Sequence, residues 1–507
     1  MFPSRPSQAL LLSTLLVAAP LAIAAPIVSV QKLWSVQHGA GPGGLNTGVT
    51  SEIAAFDAAT NTIWVAGVVG VDVLNAGTGS LVQHIDTTAF GSVNSVAIKN
   101  GVAAFAIESS TRTNPGTVQF YDTTTRANTG FVTVGALPDM LTFTPDGSKL
   151  LVANEGTPTV YGVRIGNSVP RNYAPAAVDP AGSVSIIDMA TLTVVTRDFT
   201  GVAVPNTGNV RTNTGMDFEP EYIAVSPDGS KAFVGLQEAN AMAVLNLSNN
   251  TFEKIVGLGV KDFNQAGNAI DPLNNGTVSF ANYAAKGLYM PDGMAAYQVG
   301  GNTYVVMANE GDFREDDVDR SAASAPGIGA SGDLANLRVS NTDSSASTGL
   351  FAAGARSFSI RDADGVLVYD SGDILDRAAF AANIYDDGRS RDKGVEPEGL
   401  ALLTIGGRVL AFIGLERTTT SAVAMFDVTN PFQVDYLDLI VGAGDRSPEG
   451  LLAYSHGGHD YLAVAHEVSN TTTLYRLSVV PEPASLALFG LGLAGLMLAR
   501  RRSGAAA

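Results

Sequence analysis

Between residues 51 and 479 the apolar positions fall in short runs broken by Gly, Pro, Asn and Asp, the pattern of short β-strands and tight turns. One unit recurs along this pattern. A Pro-acid pair opens an apolar strand, a turn follows, and a second apolar strand ends in Glu. Pro138-Asp139 leads through Thr144-Pro145-Asp146-Gly147 to Ala153-Asn154-Glu155, and Pro220-Glu221 leads through Ser226-Pro227-Asp228-Gly229 to Leu236-Gln237-Glu238. Pro291-Asp292 leads to Glu310, Pro397-Glu398 to Glu416, and Pro448-Glu449 to Glu467. Two degenerate copies come first. Glu52-Ile53-Ala54 reaches Val65-Ala66-Gly67, and Val93-Asn94-Ser95 crosses Asn100-Gly101 to Glu108. Asn-Gly between apolar runs is a strong hairpin signal. Further strand-like sequence follows each copy, as in 182–188 and 241–247. Four strands per repeat and seven repeats predict an all-β fold, a seven-bladed β-propeller. A β-sandwich array is the competing architecture, and the repeat period argues against it. The last copy has three strands, ending at 471–479, so the spare strand at 27–36 is expected to complete the last blade and close the ring.

The two ends break the pattern and read as address labels. Arg5, an apolar run at 9–17 and the small residues Ala22-Ile23-Ala24-Ala25 predict a signal peptide over residues 1–25. The predicted domain occupies 26–479. At the other end, over 480–503, Pro481, Glu482 and Pro483 precede an apolar stretch and Arg500-Arg501-Arg502. This end resembles the PEP-CTERM sorting signal of Gram-negative bacteria. The resemblance implies an exosortase as processing partner, membrane contact during export, and a final place at the cell surface or outside the cell. An ordinary single-span tail anchor is the alternative and leaves the domain outside as well.

Composition narrows the partners. Acidic residues number 48 and basic ones 30, a net charge of −18, which argues against nucleic acid, whose phosphates need Lys and Arg. The balance suits cations. Cys is absent, which excludes disulfides and thiolate chemistry, and 46% hydrophobic residues describe a core-forming chain.

The repeat gives the acids a common place. A hairpin returns the chain to the end it started from, so in simple register Pro138 faces Glu155, Pro220 faces Gln237 and Glu219 faces Glu238. The opening acids Asp139, Glu221, Asp292, Glu398 and Glu449 are expected to ring one mouth of the channel. Glu108, Glu155, Glu238, Glu310, Glu416 and Glu467 are expected just behind. The long inserts 156–181, 199–218, 258–290, 311–355 and 371–395 open on the same face. Crowded carboxylates must hold protons, find basic partners, cap backbone N–H groups or bind cations. Hard oxygen ligands favour Ca²⁺, with Mg²⁺ the second choice. An architectural role in each repeat is the competing explanation. The cation reading gains at Glu310, where 311–319 adds Asp312 and four more acids. That loop lacks the spacing of an EF-hand, and Asp362-Ala363-Asp364-Gly365 reads as a plain turn. His456 and His459 fall in one hairpin turn and His466 at its far end, so they cannot share a metal. Arg314, Arg389, Arg391 and Arg417 lie beside acids, where they either neutralise the mouth or hold an anionic ligand.

Ala308-Asn309-Glu310-Gly311-Asp312-Phe313-Arg314-Glu315, the segment 389–399, Ile413-Gly414-Leu415-Glu416-Arg417, Ser447-Pro448-Glu449-Gly450-Leu451 and Ala465-His466-Glu467-Val468-Ser469 together resemble the choice-of-anchor I family of bacterial surface proteins. The resemblance spans nearly the whole of 26–479. His466 departs from it, standing where the family usually has Asn. The family implies a propeller-like domain joined to one of several C-terminal anchors. The expected function is binding of a ligand or an extracellular polysaccharide or protein matrix, with Ca²⁺ at the mouth. The alternative is a metal-dependent phosphoesterase, alkaline phosphatase- or phytase-like, which rests on analogy of fold.

Overall fold

The computed structural model describes residues 28–39, 51–215, 218–314 and 319–479. The signal peptide, the Pro481-Glu482-Pro483 motif with its apolar and Arg segments, and residues 315–318 of the acidic loop lie outside them. Residues 30–479 form one compact unit, and 1–29 with 480–507 form another, nearly all of it outside the described residues. No helix among the described residues is long and apolar enough to cross a membrane.

The fold is all-β. Among the described residues there are seven four-stranded sheets. Their opening strands are Ala54–Asp57, Val93–Lys99, Pro138–Phe143, Ile223–Val225, Met294–Val299, Pro397–Ile405 and Pro448–His456. In the first six sheets the strands follow in chain order, apart from short strands inserted in the fifth. The seventh is completed by the N-terminal strand Val28–Gln37, which lies beside Thr471–Val479. Asp445 fixes that junction, accepting hydrogen bonds from Lys32 Nζ at 3.1 Å, Ser35 Oγ at 3.2 Å, Thr471 Oγ1 at 2.9 Å and Thr473 Oγ1 at 2.8 Å.

Each opening strand contacts the opening strand of the next sheet, and the seventh contacts the first. The close approach has a sequence signature. A Cβ on Gly399 would stand 1.9 Å from the carbonyl oxygen of Glu449, and one on Gly450 would stand 2.2 Å from that of Glu52. Only glycine lets these backbones meet, which accounts for the Gly after the Pro-Glu pair. The second strands, such as Thr62–Gly67 and Lys231–Leu236, are almost wholly buried, while fourth strands such as Val194–Asp198 are largely exposed. The core lies between neighbouring sheets. Trp64 of the first sheet packs with Phe105 and Tyr121 of the second, at ring-centroid distances of 6.1 and 4.6 Å along the series.

Turn chemistry holds the hairpins. Asp146 Oδ1 accepts from Thr144 Oγ1, Ser148 N and Ser148 Oγ, and Asp228 repeats the pattern with Ser226 and Ser230. The 362–365 segment is a turn, with Gly365 N donating to Asp362 O at 2.9 Å. The inserts carry structure of their own. Val260–Asp262, Lys286–Leu288 and Phe351–Ala352 form a three-stranded sheet, Arg320–Ala322 pairs with Arg338–Ser340, and Ile374–Ala381 is an α-helix.

Candidate functional site

The simple hairpin register needs a correction. Pro138 pairs with Asn154, not Glu155, and the ladder resumes at Leu141 with Val152. The same irregularity follows Pro397 and Pro448. A bulge therefore sits on the opening acid, where an extra residue re-aims a side chain. The residue before the proline adds a second distortion. Leu137, Met290, Glu396 and Ser447 all have left-handed backbones, with φ of 47°, 42°, 51° and 57°. Such backbones cost about 1–3 kcal/mol each and concentrate at functional sites.

The opening acids converge. Asp139, Glu221, Asp292, Glu398 and Glu449 line one cavity of about 510 Å³, together with Glu155, Glu310, Asp312, Glu416 and Glu467. Its lining holds eleven carboxylates against four basic groups, Arg320, Arg389, Lys393 and Arg417. A larger space of about 860 Å³ continues along the opening strands and shares Asp139, Glu155, Asp292 and Glu449 with it, and Glu108 lines this deeper part. Carboxylate oxygens of Asp292, Glu310 and Glu398 lie within 4.8 Å of one another, as do those of Glu398, Glu416 and Glu449.

The electrostatics follow from crowding. Burial, then the Glu310 and Glu416 carboxylates, push Asp292 up to about 8. Burial and Glu310 push Glu416 up to about 7, against the pull of Arg417. Asp139, Glu221, Glu398 and Glu449 are also raised, by burial first and then by facing carboxylates. The hairpin turn offers the contrast. Three donors to Asp146 hold it down to about 2.

One arc of the mouth carries its own cations. Lys393 Nζ lies 2.6 Å from Glu310 Oε1 and 3.1 Å from Glu396 Oε2, with Asp312 at 3.8 Å. Arg389 reaches Glu396 at 2.6 Å and Arg417 reaches Glu416 at 2.7 Å. Gln237 Nε2 donates to Glu310 Oε2 at 2.9 Å. Glu396 and the dominant place of Lys393 escaped the sequence reading. The Pro-acid pattern points at the residue after the proline, whereas Glu396 precedes it.

Three expected site residues lie elsewhere. Arg314 is buried, 1% exposed, and does not line the cavity. Its guanidinium is spent on Asp319 at 2.7 Å and Thr214 O at 2.9 Å and lies over the Tyr161 and Tyr173 rings, so it braces the inserts rather than holding a ligand. Arg391 lines neither cavity, and its carbonyl accepts from Arg338 N. Glu238 does not line that cavity, although it shares a side-chain hydrogen bond with Glu221, which does, and clusters with Glu155 and Glu219. His456 pairs with His459 in the last hairpin turn, while His466 is buried against Ser421 at 2.8 Å.

Residues 52–431 match the choice-of-anchor I domain, and residues 479–502 match the PEP-CTERM protein-sorting motif. Over 94 residues the chain is 35% identical to Gigasin-3a of Magallana gigas, covering 15% of this chain and about a third (33%) of that protein's length. Among solved structures, the Kuenenia stuttgartiensis hydrazine synthase aligns at 12% identity with a TM-score of 0.49, over 86% of this chain and 98% of that one. A chain of a mitotic checkpoint complex aligns at 11% identity with a TM-score of 0.47, over 93% and 98%.

Proposed function

From the premise that the chain belongs to the choice-of-anchor I family, we propose that it is a surface-displayed binding protein whose acidic mouth takes a divalent cation. It is an exported, cell-surface protein, and its PEP-CTERM motif implies processing by an exosortase-type sorting enzyme. We place it at the outer envelope of a Gram-negative cell, with residues 1–25 removed as a signal peptide. In this proposal the seven sheets are the blades of a closed β-propeller over 26–479. The cyclic contact of the opening strands supports that arrangement.

The observation that carries the cation is the excess of eleven carboxylates over four basic groups around one cavity. Asp292, Glu398, Glu416 and Glu449 hold the ion in this reading, since oxygens of Glu398, Glu416 and Glu449 lie within 4.8 Å of one another and Asp292 comes as close to Glu398. The hard oxygen donors favour Ca²⁺ over Mg²⁺, which demands a tighter octahedron. A bound Ca²⁺ keeps open positions for oxygens of an extracellular polysaccharide or protein ligand. The test is elemental analysis of the purified full-length protein, followed by calorimetric Ca²⁺ titration after EDTA treatment. Retention on extracellular matrix in Ca²⁺ and release by EDTA is the expected result. Absence of both Ca²⁺ and Mg²⁺ binding removes the proposal.

A metal-dependent phosphoesterase is the second reading. Arg389 and Arg417 border the same cavity with side chains 30% and 40% exposed, placed to meet a phosphate beside the ion. Both are already paired with glutamates, which favours the binding role. A screen of phosphoesters with Ca²⁺ present decides, and turnover abolished by Glu398→Gln would establish the enzyme.

A further inference from the structure

The strand pairing fixes where the chain leaves the sheets. In the seventh sheet Pro448 pairs with His466 at one end and His456 with His459 at the other. Glu449 and Glu467 line the mouth cavity, so the 456–459 turn lies on the opposite face. The strand Thr471–Val479 starts beside His466 and has Leu477 opposite Asp460. It therefore runs away from the mouth and ends on the far face. At about 3.3 Å per residue, its length separates Val479 from the mouth end by roughly 26 Å. The neighbouring sheet agrees, because a Cβ on Gly406, in the far turn after Pro397–Ile405, would stand 3.2 Å from Val479 Cγ2. The N-terminal strand runs antiparallel to this one. Thr473 Oγ1 donates to Ser35 Oγ at 2.8 Å and His38 N to Asn470 O at 2.9 Å, so that strand also sets out from the far face.

The two faces differ in surface chemistry. The mouth carries eleven carboxylates against four basic groups. Around the exit at Val479 the far face exposes Phe432 at 70% and Val479 itself at 50%. Arg408 and Arg476 flank them, the first beside Asp427 at 3.1 Å and the second beside His459 at 2.7 Å. Only Val480-Pro481-Glu482-Pro483 separates Val479 from the apolar run 484–499 and the three arginines after it. Fully extended, that linker spans at most about 14 Å.

We infer that the face opposite the mouth is a membrane-docking surface, and that the mouth and its long inserts point away from the membrane toward the ligand. The inference rests on the reading of 480–503 as a membrane-engaging sorting tail, and not on a bound cation. An apolar run closed by arginines suits a lipid bilayer with the basic end on the cytoplasmic side. If the mouth faced that bilayer, Val479 would stand about 26 Å above it, beyond the reach of a linker of about 14 Å. The turned-down far face meets the lipid with Phe432 and Val479 at the headgroup layer and with Arg408 and Arg476 toward lipid phosphates. The acidic mouth is repelled by those same phosphates.

The chain has no Cys, so one introduced cysteine reports its own surroundings. Val468 is 54% exposed in the mouth-side turn after His466, and Phe432 is exposed in a far-side turn. Val468→Cys and Phe432→Cys are made in the full-length chain with its tail, and intact exporting cells are treated with an impermeant maleimide on a bulky polymer. Val468→Cys should react about tenfold faster than Phe432→Cys, because a gap of about 14 Å excludes the polymer. Detergent solubilisation should equalise the two. Twenty Gly/Ser residues inserted after Val479 lengthen the reach by about 70 Å, and should bring Phe432→Cys close to the rate of Val468→Cys on intact cells. Equal rates without the insertion overturn the inference, as does a slow Phe432→Cys that the insertion leaves slow. If either cysteine variant fails to fold, Gln433→Cys on the far side and Ser347→Cys in the 311–355 insert replace the pair. Labelling of neither site until the cells are lysed refutes surface display itself, and the inference falls with it. Failure of the mouth to bind Ca²⁺ leaves all these outcomes unchanged.

Discussion

Replacing Lys393 with Met strips the mouth of its best-buried cation while keeping the length of the side chain. Lys393 Nζ stands 2.6 Å from Glu310 and 3.1 Å from Glu396, and all three side chains are at most 10% exposed. At an effective dielectric of about 20, each contact corresponds to roughly 5–6 kcal/mol of Coulomb attraction. Desolvation of the ammonium offsets several kcal/mol of that. Removing one partner of such a buried pair costs about 3–5 kcal/mol. Glu396 keeps Arg389 at 2.6 Å, so the stranded group is Glu310, left with Gln237 as its donor. The loss should therefore fall near the lower end, about 3 kcal/mol. Urea denaturation in EDTA at neutral pH measures it. Glu310→Gln in the Lys393→Met background should recover part of the loss, because the unpaired charge is gone. Ca²⁺ should stabilise Lys393→Met more than the parent, since it opens the Glu310, Glu396 and Glu416 oxygens to an ion. A loss below about 1 kcal/mol, the scale of an exposed pair, or a double variant no better than the single one, would refute the assignment of Lys393 as a buried counterion.

Burial holds His466 down to about 4, from 6.5. Between those values the unfolded chain takes up a proton that the folded histidine refuses, so stability should fall as pH is lowered from 6.5 to 4, by about 3 kcal/mol. His466→Asn should flatten that part of the stability curve, and an unchanged curve counts against the account. Ca²⁺ entering the mouth must displace protons from Asp292 and Glu416, raised to about 8 and about 7. Calorimetry at pH 7 in buffers of different ionisation enthalpy should therefore report net proton release, and equal heats in all buffers would contradict it. Asp445→Ala removes the acceptor of four hydrogen bonds, so amide exchange over residues 28–37 should accelerate well before the other sheets open. Gly399→Ala forces a Cβ to 1.9 Å from the Glu449 carbonyl and should cost more than about 1–3 kcal/mol, the usual penalty of overpacking, measured as a lower urea midpoint.

Much of the architecture is written locally. Alternating apolar runs, Asp-Gly and Asn-Gly turns and a recurring Pro-acid opening were enough to find the hairpins, their number and the spare strand at the start. Hairpin geometry alone brings the opening acid and the closing Glu to one end, because it depends on residues close in the chain. The same logic stopped one residue short at Pro138, which pairs with Asn154 across a register irregularity that simple hairpin spacing does not encode. It also misplaced Arg314, whose partners Thr214, Tyr161 and Tyr173 come from other inserts.

The sequence by itself determined an all-β chain of repeated four-strand units with an acidic end, exported under a sorting signal. What only the tertiary structure decided is what each acid experiences. Asp146 and Asp139 belong to the same hairpin, yet one is held down to about 2 by donors in its own turn and the other is raised by burial and by Glu155, Asp292, Glu52 and Glu108 from four different sheet ends. Lys393 meets Glu310 across 83 residues of chain. Turn hydrogen bonds act over a few residues and can be read from spacing. Burial and Coulomb forces act through space, so they exist only once the sheets have assembled.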